Sequence, residues 1–149
     1  MRLLLLVALS LALAGPSLAA DPVKITADQF VVDDAAQAAT FTGKVVVSRN
    51  GLTVWAPKVV VDYGNGGPSD IKSFVASGGV RIKTPSQDAT GDRAVYDPRA
   101  GTLRLTGNVM VVNASSTVAG PDLVLDLKAE TTTFSGGKGG RVTGVFTPQ

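Results

Sequence analysis

A unit of about 29 residues recurs along this chain, and any fold it adopts must set equivalent strands at equivalent places. FTGKVVVSRNGLTVWAPKVVVDY (41–63) lies without a gap on LTGNVMVVNASSTVAGPDLVLDL (105–127), with nine of 23 positions identical. Between them, SGGVRIKTPSQDATGDRAVYD (77–97) aligns on 42–62. Half copies flank the three: TADQFVVD (26–33) matches TGDRAVYD (90–97), and FSGGKGGRVTGVF (134–146) repeats the opening half with extra glycines. The closing aspartate precedes the next Thr/Ser-Gly by nine residues at Asp33, Asp97 and Asp126, but by fifteen at Asp62, where YGNGGPSDIKS lengthens the connection. Periods of this size produce quasi-one-dimensional architectures in which each unit covers its neighbour's apolar face.

Inside each copy the apolar residues alternate, and no window carries a 3.6-residue stripe, so helix is not expected. Superposing the copies assigns the faces. Val45, Val80 and Val109 agree, as do Val47, Ile82 and Val111, while between them stand Val46, Arg81 and Met110. Positions apolar in every copy are read as interior, and the arginine marks the outer face. In the next strand Gln29, Lys58, Arg93 and Asp122 point out, which turns Phe30, Val59, Ala94 and Leu123 inward, followed by Val32, Val61, Tyr96 and Leu125. Ile25, Val54, Ala89 and Val118 are also inward, yet on the opposite parity. The phase therefore breaks at Ala27, Ala56, Gly91 and Gly120, where a small residue predicts a bend or bulge. Pro57 and Pro121 beside it remove a ladder donor, as suits an irregularity.

Thr42-Gly43, Ser77-Gly78 and Thr106-Gly107 are read as turns into their strands, each preceded by an inward residue: Phe41, Ala76 and Leu105, with Phe134 before Ser135-Gly136. DDAAQ (33–37), DPRAG (97–101) and DLKAE (126–130) are candidate hairpin turns, and NGG (65–67) carries a stronger Asn-Gly signal. The expected fold is all-β, an antiparallel sheet rolled into a flattened tube or jellyroll, with edge strands left open by the half copies at both ends. A parallel solenoid has the same parity and stays the competing arrangement.

Composition narrows the chemistry. There is no histidine and no cysteine, which removes the commonest general base, the thiol nucleophile, most transition-metal ligands and any disulfide. Asp33 with Asp34, or Asp88 with Asp92, are carboxylate pairs to consider for acid–base work or calcium, but aspartates recurring at strand ends are better explained as turn formers. GGPSDIKSF (66–74) only weakly resembles a calcium-binding repeat, and SGGKGG (135–140) reads as a flexible connection. The 14 basic and 12 acidic residues are spaced singly, unlike the basic face of a nucleic-acid binder. Trp55, on the outward parity, is either a ring offered to a ligand or a partly buried edge residue. No catalytic residue, metal or cofactor is expected, and the chain reads as a non-enzyme.

Met1 and Arg2 lead into an uncharged apolar run, Leu3 to Gly15, and then PSLAA. The run falls short of the ~20 residues that span a bilayer. Ser17 and Ala19 are small residues where a signal peptidase cuts. Residues 1–19 are therefore expected to be a cleaved secretory signal peptide and 20–149 a single domain, with an uncleaved anchor as the alternative.

DPVKITADQF (21–30), FTGKVVV with the KVVVD that follows, LRLTGNVMV (103–111) and GGRVTGVFTP (139–148) together resemble the OstA-like family of periplasmic lipopolysaccharide transport proteins, over essentially the whole chain beyond the leader. The resemblance implies a V-shaped, open-ended β-jellyroll in the periplasm, stacked head to tail through its edge strands. It implies lipopolysaccharide as ligand, with the acyl chains of lipid A in an apolar groove. The implied partners are LptC at the inner membrane and the N-terminal domain of LptD at the outer membrane. Val23 and Ile25 fall on the family's lipid-touching N-terminal strand, and Phe74, Tyr96 and Leu105 near other lumen-facing positions. With Phe30, Phe41, Val45, Val47, Val61, Ile82, Val109, Val111, Leu123 and Leu125, inward by the repeat, they form the expected lining, although several must simply pack the core. The chain departs from the family pattern in being shorter between Gly64 and Phe74. Two other readings stand beside this one: a membrane-anchored LptC-like component of the same pathway, and a non-catalytic glycan-binding or structural β-repeat module, for which Trp55 is the candidate sugar-stacking ring.

Overall fold

Among the described residues the alternation becomes ten antiparallel strands in one continuous sheet. The computed structural model describes residues 22–137 and 139–148, so the expected signal peptide lies outside the described residues. The strands are β1 (Lys24–Thr26), β2 (Gln29–Asp33), β3 (Ala38–Arg49), β4 (Leu52–Tyr63), β5 (Ile71–Lys83), β6 (Asp88–Asp97), β7 (Thr102–Val112), β8 (Ser116–Asp126), β9 (Thr131–Ser135) and β10 (Thr143–Phe146). Strands β3 to β8 form a meander in sequence order; β1 and β2 share the outer edge of β3, and β9 and β10 share that of β8. Every described pairing is antiparallel, so the parallel solenoid is not what forms. The half copies do lie at the two edges.

The turns follow from local chemistry. The Asp97 carboxylate accepts from the backbone N–H groups of Arg99 and Ala100 at 2.9 and 3.1 Å, and Asp126 accepts likewise from Lys128 and Ala129 at 3.0 and 2.9 Å. Asp33 accepts from Ala36 N–H at 3.0 Å. Three of the four recurrent aspartates thus close hairpins. Asp62 does not: it sits inside β4 and accepts from the Ser73 hydroxyl at 3.2 Å, because the connection after it is the longer 64–70 segment with a 3-10 turn at Gly67–Ser69. The two-residue connection Asn50-Gly51, with φ of 36° and 82°, joins β3 to β4 as an Asn-Gly hairpin.

The Thr-Gly pairs are not turns into strands, as the sequence had suggested. They lie in the middle of β3, β5 and β7, where the register slips at Thr42/Val45, Ser77/Val80 and Thr106/Val109. Gly43 and Lys44 (φ 82° and 47°), Gly78 and Gly79 (90° and 98°), and Gly107 and Asn108 (79° and 50°) are consecutive left-handed residues, which oppose a single residue on the following strand. That is a β-bulge, and it bends the strand that carries it. The phase break expected at Ala56, Gly91 and Gly120 is the other side of the same feature. Pro57 Cγ lies against Gly78, and Asp28 and Asp92 stand over Gly43 and Gly107, so each kink side chain covers the neighbouring bulge.

A file of bulges across the sheet divides the long strands into two arms. The inner faces of both arms share one apolar core, built on Val45, Val59, Ile82, Leu105, Val109 and Leu123, all with side chains closed to solvent. The arms also touch across the interior. Arg49 on β3 donates a hydrogen bond to the Tyr96 hydroxyl on β6 at 2.8 Å, although β4 and β5 lie between these strands in the sheet. The sheet is bent on itself into an open jellyroll, with the groove between its arms.

Candidate functional site

Where the arms diverge, a groove of about 680 Å³ remains unfilled, within the size range of about 300–1,000 Å³ typical of small-molecule sites. Val47, Leu52 and Val54 line it from one arm; Val59, Phe74, Ala76, Ala94, Tyr96 and Leu103 from the other; Val23, Leu127, Pro85 and Pro98 add to the apolar part. Its polar lining comes from hairpins at the tips of both arms: Arg49, Asn50 and Thr84 from one, Lys128 and Glu130 from the other. A second hollow of about 190 Å³ shares Val23 and Phe74 with the first and continues the lining through Ile25, Phe30, Phe41, Val61 and Tyr63. The period-two alternation explains why both are apolar: on these strands every second residue faces the interior.

The fifteen residues expected to face the lumen divide into two groups. Val23, Ile25, Phe30, Phe41, Val47, Val61, Phe74 and Tyr96 line the two hollows. Val45, Ile82, Leu105, Val109, Val111 and Leu123 are buried in the core, and Leu125 packs half-buried against it. Phe30 faces the hollow, stacked on Phe41 with ring centroids 4.6 Å apart, but keeps 55% of its surface exposed because β2 is a short edge strand. Phe74 and Tyr96 meet with centroids 5.8 Å apart, so aromatic edges meet where the hollows join. The sequence reading omitted the polar rim and Leu52, Leu103 and Leu127; the Asn50-Gly51 hairpin was the signal that would have brought Arg49 and Leu52 to one end.

Electrostatics at the groove are sparse. The Tyr63 hydroxyl donates to Asp34 at 3.2 Å, and its acidity is weakened by burial first and by that carboxylate second. The considered carboxylate pairs are committed elsewhere: Asp33 to its turn, Asp34 to Tyr63, Asp88 to Arg81 at 2.7 Å, and Asp92 to the Asn108 amide at 3.2 Å. Among the described residues no three carboxylates gather into a metal-binding group. Trp55 is partly buried on the outer face of a central strand, not an edge, with the Arg81 guanidinium 5.2 Å from its ring centroid. The ring is thus already occupied by a cation. A hollow with this lining can keep apolar matter from water.

Residues 24–131 match the sequence profile of the LptA/(LptD N-terminal domain) LPS transport proteins. The uncharacterised protein R00383 of Rhizobium meliloti (strain 1021) is 30% identical over 103 residues, 65% of this chain and 55% of that relative, so the match spans little more than half of it. The fold is that of LptH from Pseudomonas aeruginosa, described as the LptA-homologous periplasmic component of the lipopolysaccharide transport device: TM-score 0.72, 19% identity, covering 85% of this chain and 96% of LptH.

Proposed function

This chain belongs to the LptA/(LptD N-terminal domain) family of LPS transport proteins, a family of carriers and not of enzymes, and on that premise we propose that it bridges the periplasm, carrying lipopolysaccharide from the inner to the outer membrane. The observation that carries the reading is the continuous apolar groove between the two arms, from Leu52 and Val47 through Phe74 to Ile25 and Phe41. Each methylene kept from water is worth about 0.8 kcal/mol, so an acyl chain with ten buried methylenes gains roughly 8 kcal/mol from such a shelter. The signal-like leader supports export to the periplasm. The exposed edges supply the rest of the bridge: β1 and β2 at one side and β9 and β10 at the other present unpaired backbone groups that another strand can extend. Through them the chain would stack head to tail with further copies, with an LptC component at the inner membrane and with the N-terminal domain of LptD at the outer membrane.

The test is to express the full chain in a Gram-negative host, purify it from the periplasm and place a photoreactive residue at Val47 or Phe74, with Arg81 on the outer face as control. Crosslinked lipopolysaccharide at the groove positions and not at Arg81 is the expected result. Equal capture at all three, or a protein that never leaves the cytoplasm, would sink the reading.

A further inference from the structure

We propose that Arg49 is a strap across the groove mouth that exchanges the Tyr96 phenol for the phosphorylated head group of an incoming acyl lipid; this rests on the groove being a lipid site. Arg49 ends β3 in one arm and Tyr96 lies near the end of β6 in the other, and both line the groove. Their 2.8 Å hydrogen bond therefore spans the space an acyl chain must enter. Among the described residues, Arg49 makes none of the three ion pairs, which join Arg81 to Asp88, Arg99 to Asp70 and Arg104 to Asp122. Its partner is a phenol oxygen, a weaker acceptor for a guanidinium than a phosphate, which takes two parallel N–H bonds. The second cation on the lining, Lys128, is held on the tip of the other arm by a 2.9 Å bond from its Nζ to the Arg99 carbonyl, and Glu130 is the carboxylate of the same hairpin. A cation hydrogen-bonded to a phenol at the rim of an apolar groove suits an amphiphile: chains inward against Val47 and Leu103, anionic head outward on Arg49. Releasing Tyr96 at that moment removes this hydrogen bond between the two arms, while the core they share stays in place.

The test compares two short-chain lipids with identical acyl groups, a phosphatidic acid and a diacylglycerol, binding to the purified full chain, with inorganic phosphate as a third probe. The wild-type protein is expected to prefer phosphatidic acid by about tenfold, the scale of one charge-assisted contact. Arg49→Met should bring the preference below about twofold by weakening phosphatidic acid more than diacylglycerol. Tyr96→Phe, which removes only the hydroxyl, should tighten phosphatidic acid binding and serves as a second variant if Arg49→Met is unstable. A preference that survives Arg49→Met overturns the strap and leaves the groove reading standing. Inorganic phosphate binding as tightly as phosphatidic acid overturns the assignment to a lipid. If the wild type binds neither lipid, the groove reading fails and the strap with it.

Discussion

The Asp92 side chain stands over Gly107 of the neighbouring strand, so close that a Cβ built on the glycine would lie 2.8 Å from Asp92 Cβ. Gly107 is also left-handed, at φ 79°. Gly107→Ala therefore meets both a steric and a conformational penalty, and we expect it to lower unfolding free energy by about 2 kcal/mol or more in urea titration. A change under about 0.5 kcal/mol would mean that the bulge is soft.

Lys44 occupies the second left-handed position of the first bulge, at φ 47°, where the later copies have Gly79 and Asn108. A lysine there bears a backbone strain of about 1–2 kcal/mol that glycine does not, offset in part by glycine's larger unfolded-state entropy. Lys44→Gly is expected to stabilise the protein by about 0.5–1 kcal/mol, read as a higher urea midpoint at unchanged slope.

Core and groove should separate under truncation. Leu105 is wholly buried, and Leu105→Ala is expected to cost about 2–5 kcal/mol through lost burial and the cavity left behind. Phe74 is only half-buried and lines both hollows. Phe74→Ala should weaken lipid capture more than stability, measured by crosslinking yield against the midpoint of thermal unfolding. The reverse order would make Phe74 a core residue and move the groove.

The Arg81–Asp88 pair sets a pH signature. The hydrogen bond from Arg81, the largest cause, holds the Asp88 carboxyl below its ordinary value. A carboxylate depressed by folding contributes stability that is complete above its unfolded value of about 4 and vanishes as pH falls through the lower folded value. Asp88→Asn should therefore melt at a lower temperature than wild type at pH 7, with the gap closing in acid and shrinking in high salt, as the pair is solvent-exposed.

Much of the fold was legible because a strand's period is local: which of Val45, Arg81 or Val109 faces in follows from alternation and from comparing copies. The turns at Asp97 and Asp126 were legible for the same reason, since an aspartate reaching two backbone N–H groups needs no distant partner. The Thr-Gly bulges were misread as turns because a left-handed Gly43 looks the same in either setting, and only the neighbouring strand, with one residue against two, decides between them.

What the sequence determined by itself was therefore a two-faced set of repeated strands with half copies at both ends and neither histidine nor cysteine, while their antiparallel pairing was decided by the tertiary structure. The tertiary structure decided which inward residues touch one another and which leave space. Val45, Ile82 and Leu105 share the inward parity of Val47 and Phe74, yet the bend of the sheet closes the first three into the core and holds the other two apart. The same bend brings Arg49 to Tyr96. Parity is a property of one strand, while the distance between two arms belongs to the whole sheet.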